Sequence, residues 1–515
     1  MRHRRNRPES GRGRGAALLC LSVLASAAQA QSNDGAQRSS GLVWQPRVSV
    51  QMTATDNVAL SAQKDDALVT TISPGISLSS RGGRFVGSLD YSLSGILYTG
   101  TTQPDRFQQN LRASGTVQVI ENVFAIDSAA SISQQATSFL GAQSSDSTLG
   151  SNNRTEVASL TISPVVRSRL GSVASVDLRG NFGETRAKNN ALGNVTQTGG
   201  TLSLVGLNPG KVNWLGTLSD QRQTYRGYGD NYNSAQAYAG LQFQPDVDFG
   251  GSLSLGRERS NYLGQEETTG LYGASFIWTP SPRTRASLDW MHHSYGDSHT
   301  INIEHRLARS AFRYTDTQGV SQQPQVGQSA MGSIYDLLFQ EYASIEPDPV
   351  KRDQLVRAYL LSNGVNPDAQ LVGQVLTNAP TIQRTQQLSY TFTGARLSFI
   401  LSGQMSRTDR LGTTTIVAGD LTAFQRVIQR GVTATVTHKL TPISSAGVSL
   451  SLLRNSGQFG TSLLGNEVQL RTVTISWDTR LAQRTQFSVM ARHAQSTGAA
   501  NYTENALTAN LVQLF

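Results

Sequence analysis

The sequence predicts an all-β protein, a transmembrane antiparallel outer-membrane β-barrel of about 20–22 strands that carries a small α-helical insert. Three observations predict it. The chain opens on a secretion signal, apolar and polar residues alternate with period two almost throughout, and the last segment is an amphipathic strand closing on Phe515.

Arg2, Arg4, Arg5, Arg7, Arg12 and Arg14 form a basic start, an apolar run follows from Ala16 to Ala28, and Ala28-Gln29-Ala30 supplies a small-x-small cleavage site. Residues 1–30 therefore read as a signal peptide, with the mature chain starting at Gln31 and a short periplasmic segment at 31–41. Arg4-Arg5 lacks the rest of a twin-arginine motif, which favours the ordinary secretion route. Cys20 follows bulky Leu19 inside the apolar run, so it is no lipoprotein anchor. The formal net charge of +9 is partly a property of this leader: its six Lys+Arg and one Asp+Glu leave 38 basic and 34 acidic residues, a net of +4. No basic cluster with interleaved aromatics marks a nucleic-acid surface. The single Cys leaves with the leader, which removes disulfides, a thiolate nucleophile and Cys-ligated metal.

After Ala30 no apolar run is long enough for a membrane helix. Lipid offers unpaired backbone groups no partner, so a spanning chain without such helices has to close its strands into a barrel. The barrel is read over 42–515. In one stretch Phe85, Gly87, Leu89, Tyr91, Leu93, Gly95 and Leu97 share a face opposite Ser88, Asp90, Ser92 and Ser94. Phe107, Leu111, Ala113, Gly115, Val117 and Val119 oppose Asn110, Arg112, Ser114, Thr116 and Gln118; Leu397, Phe399, Leu401 and Met405 repeat the pattern, as do Phe487, Val489 and Ala491. In these segments the apolar face holds no charge, so it meets lipid and the polar face lines the lumen.

Connections alternate in length. Tight ones are Arg81-Gly82-Gly83, Glu121-Asn122, Leu170-Gly171, Asn208-Pro209-Gly210, Pro245-Asp246, Pro280-Ser281-Pro282, Gly394-Ala395, Thr441-Pro442 and Ala482-Gln483. Longer polar loops lie between, such as Gln134 to Asn153, Ala187 to Val195, Arg410 to Asp420 and Asn455 to Asn466. Short turns belong to the periplasm and long loops to the outside, which puts both termini in the periplasm. The count reaches 22 if Leu307 to Ser310 is a tight turn. Without it the parity fails.

Trp44, Trp214, Trp278 and Trp477 all fall near the periplasmic strand ends, as an interfacial girdle should, while Trp290 sits mid-strand. The interval 319–380 breaks the alternation. Ala330, Ile334, Leu337, Leu338 and Tyr342 have helical spacing; Asp348-Pro349 is an N-cap with proline at the first helical position, leading through Leu355 and Tyr359 to Gly364; Asn366-Pro367 repeats the signal before Leu371, Val375 and Leu376. Two or three short helices on an outer connection are thus expected to plug or cap the barrel, in preference to forming a flexible external domain.

No enzyme signature is present, and no cofactor is expected. His292, His293, His299 and His305 gather across one hairpin, but alternation sends His292 and His293 to opposite faces, which favours interfacial or loop histidines over a metal site. Asp56, Asp65 and Asp66 read as a solvated loop. The predicted lumen residues are Arg112, Arg167, Asp177, Arg179, Asn181, Asp289, Arg396, Gln404, Asp478 and Arg492, a mixed-charge wall that suits a hydrated path.

Trp44-Gln45-Pro46, Thr55-Asp56-Asn57-Val58, Ser73-Pro74-Gly75-Ile76, Tyr91, Tyr98, Asp348-Pro349-Val350-Lys351-Arg352, Gly394-Ala395-Arg396 and terminal Phe515 together resemble the outer-membrane β-barrel proteins associated with the PEP-CTERM/exosortase system. The likeness runs from about Trp44 to Phe515. It implies a barrel tied to exopolysaccharide production, with no catalytic residues to carry over. Leu507, Leu511 and Phe515 form the C-terminal signal read by the barrel assembly machinery; Gln513 departs from the apolar or aromatic residue usual at its position.

The leading functional expectation is a transport or secretion barrel for exopolysaccharide, with outer-membrane lipids, the assembly machinery and polysaccharide or export-complex proteins as partners. The alternatives are a general diffusion porin, disfavoured by the insert and by the lack of an evident constriction loop, a non-conducting barrel that binds surface polymer and, last, an outer-membrane hydrolase. A receptor with an N-terminal plug is disfavoured because only about ten residues separate Gln31 from the first strand.

Overall fold

The computed structural model describes residues 41–188, 194–208, 210–225, 231–321, 335, 338–339, 342, 349–362, 380–411, 419–459 and 466–515. The predicted signal peptide, the 31–40 segment, the predicted Asp348 cap and the helix predicted after Asn366-Pro367 lie outside these residues.

Alternation is realised as one 22-stranded sheet. It opens with β1 (Leu42–Thr55), β2 (Ala67–Gly82), β3 (Phe85–Thr99), β4 (Arg106–Ile120), β5 (Phe124–Ala136), β6 (Arg154–Leu170), β7 (Ala174–Ala187) and β8 (Val195–Gly206). Next come β9 (Val212–Tyr225), β10 (Asn231–Asp246), β11 (Phe249–Ser260), β12 (Glu267–Ser281), β13 (Thr284–His293), β14 (Gly296–Arg306) and β15 (Ser310–Val320). After helix α1 (Pro349–Ser362) follow β16 (Thr381–Thr393) and β17 (Leu397–Arg410), then the single turn α2 (Asp420–Ala423). The wall ends with β18 (Arg426–Lys439), β19 (Ser444–Gln458), β20 (Glu467–Ala482), β21 (Thr485–Gly498) and β22 (Tyr502–Leu514). Each strand pairs antiparallel with the next. β22 closes on β1 from Arg47↔Leu514 to Thr55↔Ala506, so no edge is left with unpaired backbone groups.

The turns explain the register. Gly83 and Gly171 have φ of 68° and 57°, a left-handed conformation that costs glycine nothing, and Asn122 adopts it at 58°. Leu307 donates to the Ser310 carbonyl at 2.7 Å, which makes the β14–β15 connection the tight turn on which the strand parity depends. Three details differ from the sequence reading, the first being that β12 runs through Pro280-Ser281 by way of a bulge and turns at Pro282-Arg283. The β10 strand runs through Pro245-Asp246 by way of a bulge and turns at Val247-Asp248. The insert starts at 321 rather than 319, because Gly319 and Val320 still pair with β16.

Side-chain exposure separates the two faces. Leu253, Leu255 and Phe107 are 71%, 72% and 76% exposed although apolar, whereas Thr53, Gln223 and Glu258 on inward positions are nearly inaccessible. Such inversion is stable only where the outer surface meets lipid. Trp44, Trp278 and Trp477 are exposed on that face near its periplasmic margin, Trp214 is partly exposed beside them, and Leu507, Leu511 and Phe515 face the same way. Leu253→Arg is therefore expected to cost about 2–4 kcal/mol in a bilayer. Unfolding in lipid vesicles checks it; a change near zero would place this face in water.

Among the described residues, packed cores occur within the lumen. Leu149 joins Val58, Leu60, Val69, Ile96, Leu470 and Tyr502 where two outer loops fold over the wall. Tyr335, Leu338, Val356 and Leu360 form a second cluster within the insert.

Candidate functional site in the barrel lumen

Pro349 opens α1 with a preset φ and no donor to satisfy. One turn later the helix presents Asp353, Val356, Arg357 and Leu360. Val356 and Leu360 pack on Tyr335 and Leu338, and Ile400 of β17 lies against this cluster. Toward β3, Arg357 reaches Asp90 at 2.8 Å. Arg47 of β1 grips the same carboxylate through both nitrogens, at 2.5 and 2.8 Å. Asp90 is five residues above Phe85, roughly 17 Å along the strand from the periplasmic end, so the helix descends deep into the barrel. It is a plug in position, not an external cap.

Aromatic and charged groups interlock there. Asp353 accepts hydrogen bonds from Arg357 at 2.9 Å and from the Tyr335 hydroxyl. Arg112 lies over the Tyr335 ring at 4.2 Å and Arg357 at 5.2 Å, while Arg352 covers Phe339 at 4.8 Å. Burial pulls the Arg357 guanidinium down, but the Asp353 and Asp90 charges outweigh it and raise its pKa, which keeps it cationic. Burial and the Asp353 charge raise the Tyr335 phenol, which stays neutral and donates. Gly75 makes room: a Cβ there would lie 3.1 Å from Arg47 Cζ. Asp90→Asn removes the anion shared by Arg47 and Arg357, and loss of one partner from a mostly buried pair costs about 3 kcal/mol. Faster protease cleavage within the insert is the expected result; an unchanged rate would mean that other contacts hold the helix.

A second structure fills the mouth. The 137–153 loop folds inward, its Asp146 3.6 Å from Arg492 of β21. Arg106 and Gln108 of β4 donate to the Ser147 and Thr148 carbonyls, Tyr502 donates to Gln143, and Asn455 donates to Phe139. Asp420 of α2 accepts from Ser138 Oγ and Phe139 N–H, both at 2.8 Å; burial raises its pKa against these bonds. A loop thus enters the mouth where the sequence offered no evident constriction loop. Its inward path had no signal in sequence, because the clasping residues come from strands far away in the chain.

On the other side of the mouth, inward-facing Tyr225, Tyr232 and Tyr262 cluster with Val195 and Leu411, and Tyr295 packs against them. His293 stacks on Tyr295 and contacts Glu258 at 3.2 Å; that carboxylate also receives Ser234 and Gln236 at 3.0 Å. His293 is thus a buried wall residue, not a loop histidine. His292 points to lipid and stacks on Tyr272, as alternation required. No metal-ligand group occurs among the described residues. Asp56 is tied to Lys64 and Asn505; burial works against ionisation, but these bonds prevail and hold its carboxyl below the usual range.

Of the predicted lumen residues, Arg112 joins the plug contact. Asn181 accepts from Ser163 at 2.9 Å, Arg179 pairs with Asp127 at 3.0 Å, and Arg167 pairs with Asp177 at 3.0 Å near the periplasmic rim. Gln404 is buried on the inner face of β17, and Arg492 is buried against Glu504. Asp478 is buried with neither carboxylate oxygen hydrogen-bonded, and Asp289 faces inward from β13. Arg396 is a correction. It occupies the exposed turn between β16 and β17, where the chain leaves the sheet and the alternation no longer assigns a face. Arg47, Asp90 and Arg357 were missed as a site because three separate segments supply them.

No family model matches the chain, and no curated protein matches it. Among solved structures it is similar to the FrpB iron transporter from Neisseria meningitidis, at 9% identity and TM-score 0.49, covering 92% of this chain and 82% of that one. The ferric enterobactin receptor PfeA from Pseudomonas aeruginosa aligns at 9% identity and TM-score 0.41, over 92% and 81%. OccK8 (OprE) from Pseudomonas aeruginosa aligns at 12% identity and TM-score 0.29, over 92% and 98%. At these scores none of them transfers a function.

Proposed function

We propose that this chain is a non-enzymatic outer-membrane transport barrel, gated by its insert, that passes an acidic polysaccharide. The observation that carries the reading is the docking of α1 inside the lumen through Arg357, Asp90 and Arg47. Ion pairs in a hydrated channel can be exchanged for a polyanion's carboxylates, whereas strand pairing could not. Arg47 and Arg112 stand on the wall at the same place, so their cations become available to an acidic sugar if the insert leaves. The resemblance to barrels of exopolysaccharide loci agrees with this choice of solute. Lipids, the assembly machinery acting on Leu507, Leu511 and Phe515, and export proteins are the proposed partners.

The inward 137–153 loop favours a second reading, a diffusion porin constricted at the mouth. Single-channel conductance separates the two. For the gated pathway, removal of the insert raises conductance and acidic polysaccharide blocks it. A porin conducts with the insert present and ignores the polymer. Silence from both proteins, with folding confirmed, would leave a structural polymer-binding barrel.

A further inference from the structure

Above the apolar band, the lipid face of β16 to β20 changes character in one step. On β17 the outward residues run Leu397, Phe399, Leu401, Gly403, Met405 and then Arg407; on β19 they run Val448, Leu450, Leu452 and then Arg454; on β20, read upward, Trp477, Ile475, Val473 and then Arg471. β18 follows suit with Val436, Ala434, Val432 and Arg430, and β16 carries Arg384 on its outward face at the same level, above Tyr390, Leu388 and Gln386. The sheet register sets these arginines side by side. Arg384 is directly opposite Arg407, and Arg430 directly opposite Arg454. Arg407 faces Ile428, two residues from Arg430, and Arg454 faces Gln469, two residues from Arg471. The result is an unbroken ladder across five strands, with Arg426 above it.

Like charges directly opposite on one face repel. Outward acids among the described residues offset only part of the charge at this level: Asp316 pairs with Arg384, Asp409 with Arg407 and Arg426, and Glu467 with Arg454. Arg430 and Arg471 are exposed and have no carboxylate partner among the described residues. A sheet that places six guanidiniums against three carboxylates, immediately outside the hydrocarbon layer, is complementary to anionic headgroups and to little else at that depth.

We infer that this ladder is a binding site for the phosphate groups of an anionic outer-leaflet glycolipid, with Arg430 and Arg471, the latter touching only the neutral Gln469 amide at 3.4 Å, as its principal donors. Guanidinium and phosphate match in bidentate geometry, and each such contact is charge-assisted. The site depends on the barrel spanning the membrane and is independent of what the lumen carries.

The test uses the mature chain in nanodiscs of zwitterionic phospholipid, titrated with bisphosphorylated lipid A, with dephosphorylated lipid A, and with inorganic phosphate. The bisphosphorylated form is expected to bind at least about tenfold more tightly than the dephosphorylated one, and Arg430→Gln/Arg471→Gln to lose about tenfold of that affinity. Equal affinity of the parent for the two lipid forms would overturn the inference whether or not the double variant folds. So would equal retention by parent and folded variant. Inorganic phosphate that competed at the lipid's own concentration would make this a free-anion site and reject the lipid.

Discussion

Excision of residues 322–380 is expected to yield a folded, heat-modifiable barrel whose single-channel conductance rises well above that of the parent. The geometry of the cut supports this. Ser321 donates its backbone N–H to the Thr381 carbonyl at 2.7 Å, and Thr381 Oγ1 donates to Ser321 Oγ at 3.0 Å, so the ends of the insert already meet in the β15–β16 ladder. The register from Ser310↔Phe392 to Val320↔Ile382 needs nothing from the insert. A short turn can replace it, and loop closure becomes less costly as the loop shortens. What the cut removes is the lumen filling, the insert's contacts with Asp90, Arg112 and Ile400. The effect is judged by the heat-dependent shift in gel mobility together with conductance. A variant that assembled but conducted no better than the parent would leave the 137–153 loop as the real barrier, and one that failed to assemble would make the insert part of the folding core.

The largest stability effect is expected at Arg492. Its guanidinium meets Glu504 at 2.8 and 3.1 Å, with side-chain exposures of 4% and 0%, and Asp146 stands 3.6 Å away. Thr55 donates to the same carboxylate at 3.3 Å. Arg492→Met strands a fully buried anion, for which losses run to about 3–5 kcal/mol. Adding Glu504→Gln removes that anion and should recover much of the loss, because a buried pair replaced on both sides is nearly neutral. Urea unfolding in lipid vesicles measures both variants, and protease cleavage within 137–153 reports release of the loop from the mouth. If the single variant lost under about 1 kcal/mol, water would be reaching this cluster and the mouth would be open there.

The barrel itself was legible from local pattern. Period-two alternation gave each strand its faces, tight turns such as Gly83 and Asn122 gave the sides, and the Leu307 to Ser310 turn gave the parity. Those properties depend on residues close together in the chain, where backbone sterics and transfer from water act position by position. Arg396 failed for the same reason. It stands one residue beyond the last place where alternation has meaning.

Amino-acid sequence alone therefore determined that this chain closes into a membrane-spanning barrel of about 22 strands with helices on an outer connection near residues 319–380. Only the tertiary structure decided what occupies the lumen and what faces the outer leaflet. Asp90, Arg47 and Arg357 meet across hundreds of residues to draw α1 inward, Arg492 captures Asp146 to fold a loop into the mouth, and register alone aligns Arg384 with Arg407 and Arg430 with Arg454. Pairing energies between charges fall steeply with distance, so they become defined only once the closed sheet has set every strand's height against its neighbours.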